Sequence, residues 1–181
     1  ITANDGVSTA TTRTVTVRVT DAAEVPAFSS GTSISVAENL TATGYTAAIT
    51  AATTDANDTI TYSLTSGADQ SAFTIASSTG VLSFNPAPDF EVPTDTGANN
   101  TYVVVITAND GNGNTPTQTV TVTVTNVNES PVFSSGASIS VAENSTATGY
   151  TAAASADAGE TITYSVTGGA DQSAFTIAAS T

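Results

Sequence analysis

AFSSGTSISVAEN, at residues 27–39, returns as VFSSGASISVAEN at residues 132–144, 105 positions further on. ITAND at residues 1–5 recurs at 106–110 with the same offset, whereas ITYS from Ile60 and GADQSAFTIA from Gly67 recur from Ile162 and Gly169, 102 positions on. The difference of three reads as one deletion ahead of ITYS in the later copy. A period of about 100 residues is too long for a solenoid repeat and matches one small globular domain per copy, strung in tandem. The chain therefore divides into the C-terminal strands of a truncated repeat (1–25), a complete repeat (26–128) and the N-terminal half of a further repeat (131–181). On this reading the tail of one molecule is complementary to the head of another, which makes end-to-end self-association an expectation.

Within the complete repeat, TVTVTVT at 119–125 puts Val120, Val122 and Val124 on one face of a strand and threonines on the other, and Val15, Val17 and Val19 repeat the pattern. YVVVIT at 102–107 reads as a strand buried on both faces, and the NDGNGNTP between these two strands carries the residues of a hairpin turn. Further strands are expected at 33–37, 45–52, 59–65, 72–76 and 81–84, with Phe28, Tyr62, Phe73, Phe84 and Tyr102 adding bulk to a core of Val, Ile, Leu and Ala. Short strands at this spacing predict an all-β fold of tandem seven-stranded Greek-key sandwiches, immunoglobulin-like and antiparallel, with no helix.

Composition narrows the function. The net charge is −14, Arg13 and Arg18 are the only basic residues, and Cys, His, Met, Trp and Lys are absent. So few cations give little electrostatic attraction to nucleic acid or anionic lipid. No apolar run approaches the ~20 residues of a membrane span. Without cysteine or histidine there is neither a disulfide framework nor a thiolate or imidazole metal site, and a hydrolytic nucleophile lacks its usual base. Asp89 and Glu91 lie two apart on one face, but no substrate cleft accompanies the pair, as a glycosidase would need. The chain reads as a non-enzyme.

The acids fall mainly at strand ends. Glu38 in SVAEN, Asp89 and Glu91 in PAPDFE, and Asn126, Asn128 and Glu129 in TNVNESP are placed to meet at one pole of the sandwich, beside Asp157 of the following repeat. Close carboxylates repel by roughly 1 kcal/mol per pair in water and more when partly buried. With no basic side chain in this part of the chain, a metal ion is the natural counter-charge, and an all-oxygen ligand set selects Ca²⁺ over the stricter Mg²⁺. Asp69, Asp95, Asp171 and Glu160 read instead as solvated strand-end acids. Threonine rows spaced to suit sugar or water sit on one strand per repeat, which is thin support for a carbohydrate partner. Five Asn-x-Ser/Thr sequons, at Asn39, Asn57, Asn99, Asn128 and Asn144, are close to what chance gives.

These motifs together resemble the cadherin repeat, in particular the cadherin-like repeats of large bacterial surface proteins. SVAEN is similar to the family's first-strand Glu motif, DANDTITYSL to its Asp-x-Asp segment, PAPDFE to its Asp-Arg-Glu motif, VVVITANDGNG to its Ala-x-Asp-x-Gly motif, and TNVNESPVF to its interdomain linker. The resemblance implies calcium between successive repeats, held at the downstream junction by Glu38, Asp89, Glu91, Asn126, the Asn128 carbonyl, Glu129 and Asp157. At the upstream junction it implies Asp21, the Ala23 carbonyl and Glu24 with Asp55, Asn57 and Asp110. Asn126 and Asn57 stand where the family usually has Asp, and Gly159 replaces Asn57 in the later copy, which lowers the anionic ligand count. The implied function is a calcium-rigidified extracellular segment of a cell-surface adhesin or filament, partnered by neighbouring repeats or by homophilic or other cell-surface contacts. Alternatives are a spacer repeat of a larger secreted protein whose binding or catalytic domain lies elsewhere, and a metal-free immunoglobulin-like repeat.

Overall fold

The computed structural model describes residues 1–20, 22, 24–50, 58–157 and 159–180. Its central body is a two-layer β-sandwich of seven strands. They are β3 (Ser33–Ala37), β4 (Ala42–Thr46), β5 (Thr61–Ser66), β6 (Phe73–Ile75), β7 (Val81–Phe84), β8 (Thr101–Asn109) and β9 (Thr117–Thr125). Outside it, β1 (Thr2–Ala3) pairs with β2 (Thr11–Thr12), and β10 (Val132–Phe133) with β11 (Ala154–Ser155). One layer of the sandwich has the order β3-β9-β8-β5 and the other β4-β7-β6.

Alternation in the sequence explains the layers. Tyr102, Val104 and Ile106 on β8 and Val120, Val122 and Val124 on β9 are at most 2% exposed and meet Phe73, Leu82 and Phe84 of the opposite sheet. Phe84 and Tyr102 cross edge to face at 5.1 Å, and Phe73 lies 4.5 Å from Phe84, separations at which aromatic pairs attract beyond their area alone. Phe28 and Tyr62 pack at the margin, half-buried. On β8 only one face is fully buried; Val103 and Val105 on the other are half-covered, as expected of a sheet whose second face looks outward.

Several expectations are corrected. Strand β4 begins at Ala42 rather than Tyr45 and ends at Thr46, because Gly44, at φ +73°, sits where the register with β7 shifts; an isolated bridge from Phe28 to Ile49 continues the line. The end of that expected strand, residues 51 and 52, lies outside the described residues. The stretch holding Val15, Val17 and Val19 is no strand, and these valines are 52%, 80% and 89% exposed. Their counterparts on β9 are held by β8 and β3, and segments equivalent to most of β8 and all of β3 do not occur ahead of them within residues 1–181. What is present forms: Thr2 pairs with Thr12 in the same register as Thr107 with Thr117. In the later copy the Tyr164 N–H donates to the Ala179 carbonyl at 3.0 Å, as Tyr62 does to Ser77 at 2.8 Å.

The sheet is not wholly antiparallel. β3 runs parallel to β9, from Ser33 opposite Thr121 to Ala37 opposite Thr125. A chain whose first and last strands run the same way enters a domain at one pole and leaves at the other, so identical domains follow one another in line. It also follows that the residues just after β3, led by Glu38, lie beside the residues just after β9, led by Asn126.

Two glycines let neighbouring segments of one sheet approach closely. A Cβ on Gly67 (φ +113°) would stand 2.6 Å from the Val103 carbonyl oxygen, and one on Gly80 (φ +70°) 2.6 Å from that of Ala47. Both neighbours are backbone and cannot rotate away. Gly67→Ala and Gly80→Ala should each lose about 2 kcal/mol in urea unfolding, whereas Gly113→Ala, in open space, should lose only the cost of its left-handed backbone.

Candidate metal centre

The parallel pairing of β3 and β9 builds the downstream pole. The Glu38 N–H donates to the Thr125 carbonyl at 3.1 Å, which brings the Glu38 side chain under the start of the linker. Glu38 is 2% exposed. Its Oε2 accepts the Phe90 N–H and its Oε1 the Val127 N–H, both at 2.8 Å, so the carboxylate ties the DFE segment to the linker. A buried carboxylate survives only with such partners.

Around it the other acids converge. Carboxylate oxygens of Glu38, Glu91 and Glu129, one from each, all lie within 4.8 Å of one another. Asp89, Glu91, Glu129 and Asp157 line one crevice of about 550 Å³ between the sandwich, the linker and the chain beyond. Asp89 accepts the N–H groups of Glu91 and Val92 at 3.0 Å each, which shapes the turn presenting Glu91. Asp157, buried, accepts the Glu129 N–H at 2.8 Å and the Asn128 amide at 3.0 Å. The Asn126 amide donates to Glu91 at 3.3 Å. Thus Glu38, Glu91 and Glu129 form one cluster, Asp89 and Asp157 wall the same crevice, and Asn126 and Asn128 touch its acids through their amides.

Two participants were missed from sequence. Asn39 donates to Glu129 at 2.5 Å, and the Asn128 amide reaches Glu160 at 3.1 Å, so Glu160 is part of the pole rather than a detached solvated acid. The signal for Asn39 was its recurrence as Asn144 in the second SVAEN; no comparable signal marked Glu160. Asp69 and Asp95 are also corrected. They are 5% and 6% exposed. Asp95 accepts the N–H groups of Gly97, Asn99 and Asn100, and Asp69 those of Thr96 and Val103, so both cap backbone in the crossing from β7 to β8. Asp171 is exposed, as expected.

At the upstream pole Asp21, Ala23, Asp55 and Asn57 lie outside the described residues. Glu24 is exposed, and its carbonyl accepts the Asn114 amide at 3.2 Å. Asp110 is 2% exposed. Burial works to raise its pKa, but hydrogen bonds from the Asn114 amide and from the N–H groups of Asn112 and Asn114 outweigh it and hold the carboxyl below the usual range.

The ligand atoms of the downstream cluster are uniform: carboxylate oxygens, no nitrogen or sulfur ligand, and no basic residue in the chain after Arg18. Such a set fits a hard divalent cation.

The cadherin domain model matches residues 32–125. The chain belongs to the cadherin domain family. Members of this family are extracellular adhesion-type modules rather than enzymes. Among solved structures, the extracellular domain of protocadherin gamma-B4 is 27% identical, with 65% of this chain and 19% of that chain covered and a TM-score of 0.48. Drosophila N-cadherin EC1-3 is 23% identical, with 57% and 34% covered and a TM-score of 0.47, and the EC1-4 fragment is 23% identical, with 61% and 27% covered and a TM-score of 0.48. The chain thus spans about a third or less of the length of these structures. No curated protein matches it. Among the described residues no helix is long and apolar enough to cross a membrane.

Proposed function

We propose that this chain is a calcium-rigidified segment of an extracellular surface adhesin or filament, with residues 26–128 as a complete repeat, 1–25 as the end of one repeat and 131–181 as the beginning of another. The observation that carries the reading is the meeting of Glu38, Glu91 and Glu129, from three separate segments, where the sandwich hands over to its linker. Asp157, from beyond the linker, walls the same crevice. A divalent cation bound there supplies the charge that the clustered acids lack. Glu38 fixes the linker to the sandwich through its two backbone hydrogen bonds. Asp89 orients Glu91, and Asp157 holds Glu129 and Asn128 from the downstream side. Ligands contributed from both sides of a linker make ion binding and inter-repeat orientation one equilibrium, and this is how a string of cadherin domains becomes a rod. Cadherin domains typically bind Ca²⁺, and the ligand types here suit that ion. Neighbouring repeats are the first partners, and homophilic or other cell-surface contacts follow from the family.

Small-angle scattering in calcium and in chelator tests the proposal. Calcium should lengthen and stiffen the particle and raise its melting midpoint, with about 2.7 kcal/mol gained at a concentration one hundred times Kd. Glu129→Ala should abolish much of the scattering change, and Asp171→Ala, at an exposed acid outside the junction, should leave it intact. Identical profiles in the two buffers would overturn the proposal.

A further inference from the structure

Asn112–Gly113 is the only Asn-Gly pair in the chain, and it lies at the tip of the hairpin joining β8 to β9. Three observations set it apart from the other asparagines. Asn112 is exposed, and its amide Nδ2 is held by Asp58 Oδ1 at 2.6 Å. Its own N–H is fixed on Asp110 Oδ1 at 2.8 Å, so the residue is anchored on both sides. Gly113 has φ +101°, with nothing within 4 Å of where a Cβ would stand, and among the described residues its N–H has no acceptor. The Gly113 nitrogen is thus free of a competing bond among the described residues and follows a carboxamide, in an exposed turn uncrowded on the glycine's Cβ side.

We propose that Asn112 is a site of spontaneous deamidation that adds a third carboxylate to this pole, beside those of Asp58 and Asp110. The Gly113 nitrogen attacks Asn112 Cγ and forms the N–C bond of a five-membered succinimide; the Cγ–Nδ2 bond breaks, and the nitrogen leaves as ammonia with the proton lost from Gly113. Water then opens the ring at Cγ to give aspartate, or at the main-chain carbonyl to give isoaspartate. No oxidant or metal is consumed. Either product replaces the donor that Asp58 now accepts with a carboxylate, so two like charges stand where a hydrogen bond stood, with Asp110 alongside. The repulsion should loosen the tip. Because Asn114 links this loop to the Glu24 carbonyl, the change reaches the segment entering the sandwich. The corresponding turn in the first copy reads NDGV, with Val7 where Asn112 stands, so the modification marks one repeat and not its neighbour.

Intact chain held near neutral pH at body temperature, sampled over weeks by peptide mass spectrometry, decides the matter. The mass gain of one amide-to-acid exchange should accumulate at Asn112 before any of the other asparagines, with both aspartate and isoaspartate recovered. Asn112→Gln should remove the signal, since glutamine would have to close a slower six-membered ring, and the aged chain and Asn112→Asp should both show faster hydrogen exchange over residues 109–114 than the fresh chain. Conversion seen only in urea, or conversion at Asn114 or Asn99 at the same rate, would overturn the proposal.

Discussion

Asp69→Asn should cost about 3 kcal/mol of folding stability, more than any exposed acid in the chain. Asp69 Oδ2 accepts the Val103 N–H at 2.8 Å, and Oδ1 accepts the Thr96 N–H at 2.7 Å and its hydroxyl at 2.8 Å. An asparagine has one oxygen, so its NH₂ would face a buried N–H donor. The same residues provide an internal control. GADQSAFTIA occurs twice, and Asp171, the equivalent acid in the second copy, is exposed because residues matching Thr96 and Val103 do not follow it within residues 1–181. Asp171→Asn should change stability by no more than about 0.5 kcal/mol. The pH dependence follows from the same contacts. Burial opposes ionisation of Asp69, yet its three hydrogen bonds prevail and hold its pKa below that of an ordinary carboxylate. The unfolded chain therefore takes up this proton first as pH falls, so the contribution of Asp69 is fully present above about pH 4 and is lost as acid carries the solution through its folded-state value. Urea midpoints measured from pH 6 downward should fall more steeply in the wild type than in Asp69→Asn. Parallel curves would show that folding leaves the affinity of Asp69 for its proton unchanged, and a wild type that gains on the variant as pH falls would show that the carboxyl is protonated in the fold.

The consequence extends to the proposed ion site. Asp69 and Asp95 together pin the crossing between β7 and β8, in which Asp89 and Glu91 lie. Loosening that segment should lower calcium affinity without removing a ligand.

How much of this was readable depends on the range over which each signal acts. Period-two valines on β9 and the aromatic residues of β6, β7 and β8 declare a sandwich because alternation is local. The SVAEN repeat and the acids of PAPDFE and TNVNESP pointed to a shared pole because strand ends gather there. Val15, Val17 and Val19 carry the same local code as Val120, Val122 and Val124 yet form no strand, since a strand needs neighbours that alternation does not supply. The parallel course of β3 beside β9 was likewise invisible, being a property of topology. The burial of Asp69 and Asp95 was misread for a related reason: a carboxylate is solvated or buried according to which distant N–H groups reach it, and in this chain identical ten-residue motifs have opposite fates.

Glu38 joins folding stability to the proposed ion site, and its substitution should affect both. In Glu38→Ala the N–H groups of Phe90 and Val127 lose a buried acceptor and a cavity replaces its side chain, which should cost about 2 kcal/mol without any ion. Glu38→Gln keeps the shape and one good acceptor, so its ion-free loss should be smaller, about 1.5 kcal/mol. Both changes remove a negative charge from a cluster whose oxygens lie within 4.8 Å, and at such separations one charge is worth more than a factor of ten in cation affinity. Glu129→Gln supplies the contrast: its side chain is exposed and accepts one hydrogen bond, from Asn39, so it should leave ion-free stability nearly unchanged and still weaken calcium binding. Thermal melts and calorimetric titrations of the two glutamine variants and their double mutant separate these roles. If both residues ligate one ion, their effects on affinity should be non-additive, while their effects on ion-free stability should add. Undiminished calcium affinity in Glu38→Gln would mean that the buried carboxylate serves only as a clasp for the linker and that the ion, if one binds, sits further out among Asp89, Glu129 and Asp157.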